Sequence, residues 1–239
     1  MPSTWAQGEK KVEKTHLVVG AGEVGTAVHA VLSCTHDTAI RDVQAVELDA
    51  DVLHVCFPWS DNFVRQVEGY IAEHSVDLVV VHSTVAPGTC DANGWVHSPI
   101  RGRHPHLAES VFRFTKHFGG ERAQEAADFF RAAGVATSVH ARAADCEAGK
   151  VWELIQYGVQ IQVEKQIHSW CAEHGYDFDV VYTQLAESYN HGYSVMGYPQ
   201  FVRPVLKHVP GAIGGHCVTQ NAELIDHPLA RMVTDEGAV

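Results

Sequence analysis

The residues best suited to chemistry begin with Gly20-Ala21-Gly22-Glu23-Val24-Gly25, a G-x-G-x-x-G run. Thr15-His-Leu-Val-Val before it is a short β-rich run, and Thr26-Ala-Val-His-Ala-Val-Leu32 after it has a helical pattern. Strand, glycine loop, helix is the order a dinucleotide site requires. The first glycine turns the chain tightly, the second lets a pyrophosphate reach the backbone, and the third lets the helix pack close to its strand, with the helix N-terminus facing the anion. Thr38-Ala-Ile-Arg-Asp42 supplies an acid 20 positions after Gly22, where a carboxylate binds both ribose hydroxyls. An Asp there repels a 2′-phosphate, so NAD is the expected cofactor, while the adjacent Arg41 keeps NADP open.

A second group of chemical residues is Arg101, Arg103, His104 and His106, a basic cluster in a chain whose formal charge is −12. Concentrated beside a strand edge, these charges are expected to bind a carboxylate or phosphate of the substrate. The 17 histidines are scattered and lack H-E-x-x-H or H-x-x-x-H spacing, so no metal is expected. The six cysteines lie far apart with no C-x-x-C pair, which argues against disulfides and zinc and predicts mostly small buried side chains.

Alternating strands and helices must position these groups. Asp51-Val-Leu-His-Val-Cys-Phe57 and Val76-Asp-Leu-Val-Val-Val-His82 are apolar runs of strand length. Between them Phe63, Val67, Tyr70 and Ile71 recur at helical spacing after a Ser60 cap. This βαβ alternation predicts a parallel sheet covered on both faces. Phe57-Pro58 and Ser83-Thr84 then fall at strand C-terminal ends, where they would line the cofactor. Further strands are expected at Trp95–His97 and Ala136–Val139, with a helix from Glu121 to Ala133 stopped by Gly134. Phe112, Phe114, Phe118, Phe129 and Phe130 read as core packing. From Ala143 to His174 the pattern stays helical without Pro and closes at Gly175. Such a helix would span about 48 Å, longer than a small domain, so it is expected to bury a face in a homodimer. The fold class is therefore α/β: a polar tail (1–14), a Rossmann-like doubly wound parallel sheet (15–140), and an all-helical domain with one long helix for dimerisation and substrate (141–239).

Several segments together, Gly20–Gly25, Ala50-Asp-Val-Leu-His-Val-Cys-Phe-Pro58, Ser83-Thr-Val-Ala-Pro-Gly-Thr89, Ser98-Pro99 and Gly211-Ala-Ile-Gly-Gly-His-Cys217-Val, resemble the UDP-glucose/GDP-mannose dehydrogenase family in order and approximate spacing. The resemblance implies an NAD-dependent oxidation of a sugar alcohol through a cysteine thiohemiacetal, on a Rossmann domain joined to a dimer-forming helix. It would make Cys217 the nucleophile, with Gly215 and His216 before it close to substrate. Lys150 would stabilise alkoxide charge or act as base, and Thr84 would position an active-site water near the nicotinamide. Asn190, Tyr193 and Arg203 precede the Gly-Gly-His-Cys run and are expected to line the same substrate site. Three positions depart from the family: Leu154 replaces an Asn, Asn221 an Asp, and Ile100 the Glu that follows Ser-Pro. These changes argue against full four-electron oxidation and, with the added arginines and histidines, for a small or phosphorylated anionic substrate. The family's third, nucleotide-sugar-binding domain has no counterpart in the 22 residues after Cys217.

Composition bounds the alternatives. With 239 residues, 46% hydrophobic and 19% charged, the chain is a folded protein rather than a disordered one. Its negative charge opposes nucleic-acid binding, and no apolar stretch approaches a membrane span, so a cytoplasmic protein is expected. The glycine loop and Asp42 would hold an adenosyl group equally well, which leaves two rival readings. One is a group-transfer enzyme using S-adenosylmethionine, and the other is a non-catalytic nucleotide-binding protein.

Overall fold

The computed structural model describes residues 14–44, 48–102, 104–213 and 216–234, without the side chain of His216. The chain forms two compact units, Met1–Glu147 and Ala148–Val239, against a boundary expected at 141. No helix among the described residues is long and apolar enough to cross a membrane.

The first unit is built on a seven-stranded sheet. Its strands are β1 (His16–Val19), β2 (Thr38–Arg41), β3 (Val52–Val55), β4 (Leu78–Val81), β5 (Val96–His97), β6 (Lys116–Gly119) and β7 (Thr137–His140). They lie in the order β2-β1-β3-β4-β5-β6-β7. Every residue of β1, β3 and β4 is buried, as parallel strands covered on both faces must be. The expectation of an all-parallel sheet needs one correction: β5 pairs with β6 antiparallel, His97 opposite Gly119. The strand β6 itself was not foreseen, because Lys-His-Phe-Gly has no strand-like run of apolar residues.

The helices of this unit are α1 (Glu23–Leu32), α2 (Phe63–His74), α3 (Thr89–Asn93), α4 (Leu107–Arg113) and α5 (Ala123–Ala132). Val28, Val31 and Leu32 of α1, Leu107 and Val111 of α4, and Ala126, Ala127 and Phe130 of α5 share a core with Val18, Val52, Val80 and Phe118. Phe63 and Val67 of α2 pack with Leu17, Val19, Leu53, Val55, Val79 and Val81 in a second core. Alternate strand residues supply the two clusters, as the period of two requires. The N-cap of α2 is Asn62, with no side-chain cap; Ser60 instead accepts a backbone bond from Phe63 N–H through its carbonyl. Phe118 and Phe130 are fully buried, whereas Phe112 and Phe114 are exposed and do not belong to the core.

The long helix α6 (Ala143–His174) has the bounds that its sequence pattern predicts. Its start is tied to α3 by reciprocal caps. Asp91 accepts from the N–H groups of Ala143 and Ala144 at 2.8 and 3.2 Å, and Glu147 accepts from Gly88 and Cys90 N–H at 2.6 and 2.8 Å. The Pro87-Gly88-Thr89 part of the family-like segment thus anchors a helix.

The second unit continues α6 and adds a π-helical turn, Asp179–Gln184, running into α7 (Leu185–Val195), then α8 (His216–Ala222) and α9 (Pro228–Thr234). Val218 and Ala222 of α8, and Ala230 and Val233 of α9, bury themselves on Val151 and Ile155 of α6. Gly158 permits that approach, since a Cβ there would lie 2.6 Å from Val233 and 2.9 Å from Val218.

Candidate functional site

The chain leaves β1 for β2 on one side and returns to β3 on the other, which makes the C-terminal ends of β1 and β3 the switch point where open α/β sheets take ligands. The glycine loop sits there. Gly20 N–H bonds the Arg41 carbonyl at 2.9 Å, and Gly20 adopts φ +98°, a turn that glycine makes without strain. A Cβ on Gly25 would lie 1.7 Å from the Gly20 carbonyl oxygen, so α1 reaches the loop only because that side chain is absent. Both glycines are accounted for by the protein itself.

Gly22 is not. As the N-cap of α1 it has φ −71° and ψ −170°, ordinary extended geometry, and a Cβ there would meet no protein atom within 4 Å. Ala21, Gly22 and Glu23 are exposed at the start of a ten-residue helix, while Val24 packs on the core. A backbone left bare where nothing in the protein needs it bare suits the pyrophosphate of a dinucleotide, whose oxygens approach main-chain N–H groups. The residues present therefore fit such a cofactor.

Around this loop the structure distributes the other expected cofactor residues. Asp42 is exposed directly after β2. Arg41 turns the other way: its guanidinium is buried, donates to Glu73 Oε1 at 2.9 Å and to His74 Nε2 at 2.7 Å, and stacks on Tyr70. It is thus committed to α2, away from the reading in which it would face a 2′-phosphate. Ser83 Oγ donates to the Phe57 carbonyl at 2.6 Å and fastens the loops after β3 and β4 to each other. The Phe57 ring packs on Phe63 and Tyr70, Pro58 is exposed, and Thr84 is half-buried.

Of the basic cluster, Arg101 lies over the Phe114 ring at 5.9 Å, and His104 Nδ1 pairs with Glu23 Oε2 in the first turn of α1. His106 is exposed and N-caps α4. The loop thus stands against the glycine loop, a link that no spacing in the sequence reveals. Arg103, Gly215, the His216 side chain and most of the 1–14 tail lie outside the described residues.

In the second unit Cys217 is exposed in the first turn of α8. Lys150 is half-buried in α6, beside Val151. The cluster containing Val151, Leu154 and Ile155 of α6 also contains Val218 of α8, the residue after Cys217. Leu154 belongs to that cluster, which gives the missing Asn a packing reason. Asn221 Nδ2 donates to the Cys217 carbonyl at 2.7 Å, a bond that an ionised Asp could not make.

The remaining expected substrate residues hold the chain leading to Cys217. Residues 202–213 have no regular structure. Asn190 spends both ends of its amide on Arg203, donating to its carbonyl and accepting from its N–H, each at 2.8 Å. Arg203 stacks on Tyr189 at 4.1 Å, and Tyr193 packs between Tyr189 and Phe201. Two residues that the sequence did not single out complete the attachment. The buried Lys165 donates to the Val209 and Gly211 carbonyls at 2.6 Å each, and the buried Glu164 accepts from His208 Nδ1 at 2.8 Å.

Burial raises the thiols of Cys56, Cys90 and Cys146, the last to about 11, so these three are poor nucleophiles. Cys34 and Cys217 are exposed, contrary to the general expectation of burial, and Cys90, Cys146 and Cys171 are buried. No group of three or more metal-ligating side chains occurs among the described residues.

With this geometry in place, the chain can be compared with known proteins. No protein-family model and no curated protein matches it. Solved structures do. The UDP-D-ManNAc dehydrogenase of Pyrococcus horikoshii superposes with a TM-score of 0.74 at 17% identity, over 93% of this chain and 68% of that one. The 3-hydroxyisobutyrate dehydrogenase of Mycobacterium tuberculosis gives 0.65 at 15% identity, over 94% and 92%. Psf3, in complex with NADP+ and 2-OPP, gives 0.57 at 14% identity, over 92% and 91%. The class defined is a Rossmann-like α/β dehydrogenase fold followed by a helical region. The matched region takes up 68% of the first of these structures and about nine tenths of the other two.

Proposed function

We propose that the chain is an NAD(P)-dependent oxidoreductase of the UDP-glucose/GDP-mannose dehydrogenase type, acting on a small or phosphorylated anionic polar alcohol or acid. The observation that carries this reading is Gly22, a glycine that neither backbone geometry nor packing requires, set between two that they do require. The dehydrogenases of like fold and the NADP+ complex of Psf3 favour a nicotinamide over an adenosyl cofactor.

When bound, the nicotinamide would accept a hydride from the substrate carbon. The protein's own part is to place the pyrophosphate over Gly22 at the helix N-terminus and the ribose hydroxyls on Asp42. Lys150 takes the alcohol proton or stabilises the alkoxide, and Cys217, at the family's nucleophile position, attacks an aldehyde. Arg101, Arg103 and His106 offer charge to an anionic substrate. In the same reading two copies associate through α6, where the exposed Trp152, Val163 and Trp170 fall within about 20° of one another around the helix axis. Sedimentation of the wild type against Val163→Asp checks that association.

Calorimetric titration with NAD, NADP and S-adenosylmethionine tests the central claim. Binding of NAD with none of the adenosyl compound is expected, and the reverse pattern would overturn it. Asp42→Ala should weaken NAD and relax discrimination against NADP; unchanged affinities would mean that the acid serves another purpose. Cys217→Ser should leave NAD affinity intact while abolishing oxidation of an aldehyde substrate.

A further inference from the structure

At the end of β2 two neighbouring charges take different directions. Ala39 packs with Leu53, Phe63 and Val67 on one face of the sheet and Ile40 with Val18 and Val28 on the other, so strand alternation sends Arg41 to the side that α2 covers. Asp42, next in the chain, is exposed. The cofactor reading uses Asp42 and leaves Arg41 without a part.

Two residues at the end of α2 hold Arg41 where it is. Its Nη1 donates to Glu73 Oε1 at 2.9 Å and to His74 Nε2 at 2.7 Å, and its Cζ lies 4.9 Å from the centre of the Tyr70 ring. His74 Nδ1 is 2.6 Å from the Leu48 carbonyl, which can only accept, so Nδ1 donates and Nε2 is left to accept from Arg41. The arginine side chain is 7% exposed and that of His74 2%; among the described residues, Glu73 is the acid paired with the guanidinium. The clasp is incomplete, because Arg41 Nε is buried with no hydrogen-bond partner. A buried guanidinium depends on its counter-ion, and without the acid it is an uncompensated charge.

Turned out to solvent, the same side chain would stand beside Asp42 at the end of β2. That is where the ribose of a dinucleotide is expected, and where a 2′-phosphate distinguishes NADP from NAD. A guanidinium is well suited to such a phosphate. We infer that Glu73 is a specificity-determining residue: by holding Arg41 against α2 it keeps a phosphate ligand away from the ribose and so disfavours NADP. This inference rests on the reading of the glycine loop as a dinucleotide site. Asp42 acts on the ribose of either cofactor, whereas Glu73 acts on the 2′-phosphate alone.

NAD and NADP are titrated by calorimetry into the intact wild type, Glu73→Gln, and the double variant Glu73→Gln, Arg41→Met. Glu73 is 45% exposed, so the fold accommodates Gln there, and thermal melting checks both variants. The wild type should bind NAD more tightly than NADP. Glu73→Gln should gain about tenfold in NADP affinity, the worth of one hydrogen bond to a charged group, while NAD stays within about twofold of the wild type. That gain should shrink at high salt, as an exposed ionic contact does, and vanish in the double variant. Unchanged NADP affinity in Glu73→Gln, a gain indifferent to salt or surviving the loss of Arg41, or a wild type that binds NADP as tightly as NAD would overturn the inference and leave the cofactor reading intact. Absence of binding of either dinucleotide by the wild type would overturn both.

Discussion

Gly22 and Gly25 stand three residues apart and answer to different neighbours. A methyl group on Gly25 collides with the Gly20 carbonyl at 1.7 Å, so Gly25→Ala forces backbone to move and should cost about 3 kcal/mol or more, or prevent folding. The same methyl on Gly22 meets open space, and Gly22→Ala should change stability by less than about 1 kcal/mol. What it should lose is affinity for NAD, by about tenfold or more, one such step being about 1.4 kcal/mol. Thermal melting and calorimetric titration of both variants check this split; a Gly22→Ala protein that binds NAD like the wild type would remove the main support for the proposed cofactor. These glycines were legible in the sequence because a backbone constraint is written in the residue type itself. Polar side chains were less legible. Asn190, a candidate substrate contact, grips Arg203, 13 residues on. Arg41 suggested a phosphate contact and turns into α2. A residue's type states what it can bond, and only the fold states which partner reaches it.

Among the elements, periodicity decided what could be foreseen. The bounds of α6 followed from an uninterrupted helical pattern ended by Gly175, and β1, β3 and β4 from continuous apolar runs. Lys116-His-Phe-Gly carries no such signal, because the lysine that opens β6 is buried yet charged, donating to the Ser98 and Pro99 carbonyls at 3.0 and 3.3 Å. Residues 202–213 likewise have no period, since side chains of other elements hold them. Their attachment makes a prediction. Lys165→Met leaves the Val209 and Gly211 carbonyls without their donor, and each of these partly exposed hydrogen bonds is worth about 1 kcal/mol. The second unit should lose about 2 kcal/mol in denaturant unfolding. Amide exchange across 202–213 and into α8 should quicken, while NAD affinity, which depends on the first unit, should hold. Exchange unchanged in that segment would mean that Lys165 does not fasten it.

For the molecule as a whole, three buried histidines set a limit on acid stability. His16, His54 and His82 lie in a buried file across the sheet, His16 Nδ1 2.9 Å from His54 Nε2 and His54 Nδ1 3.1 Å from His82 Nε2. His82 Nδ1 is 2.8 Å from the Ser98 carbonyl, which can only accept. Each Nδ1 therefore donates onward, and the Nε2 atoms of His54 and His82 accept. The Lys116 ammonium, 3.3 Å from His82 Nδ1, opposes a further proton there. Burial first, and neighbouring cationic groups second, hold His16 at about 4 and His54 and His82 well below their ordinary value. The sign follows from which state binds protons. Unfolded, these rings protonate as pH falls through about 6.5; folded, they do not, so protons favour the unfolded chain and stability present above that pH is lost below it. Three rings together should withdraw roughly 4 kcal/mol per pH unit between about pH 6 and pH 4, against a typical total of about 5–15 kcal/mol. Asp77, held at about 2 mainly by Arg122, adds its loss only at lower pH, so the two effects separate. Urea unfolding followed from pH 8 to pH 4.5 should show an uptake of about three protons, and His54→Leu, though less stable at pH 8, should show about one fewer. A wild-type slope of less than one proton across that range would mean that the folded file accepts protons as readily as the unfolded chain.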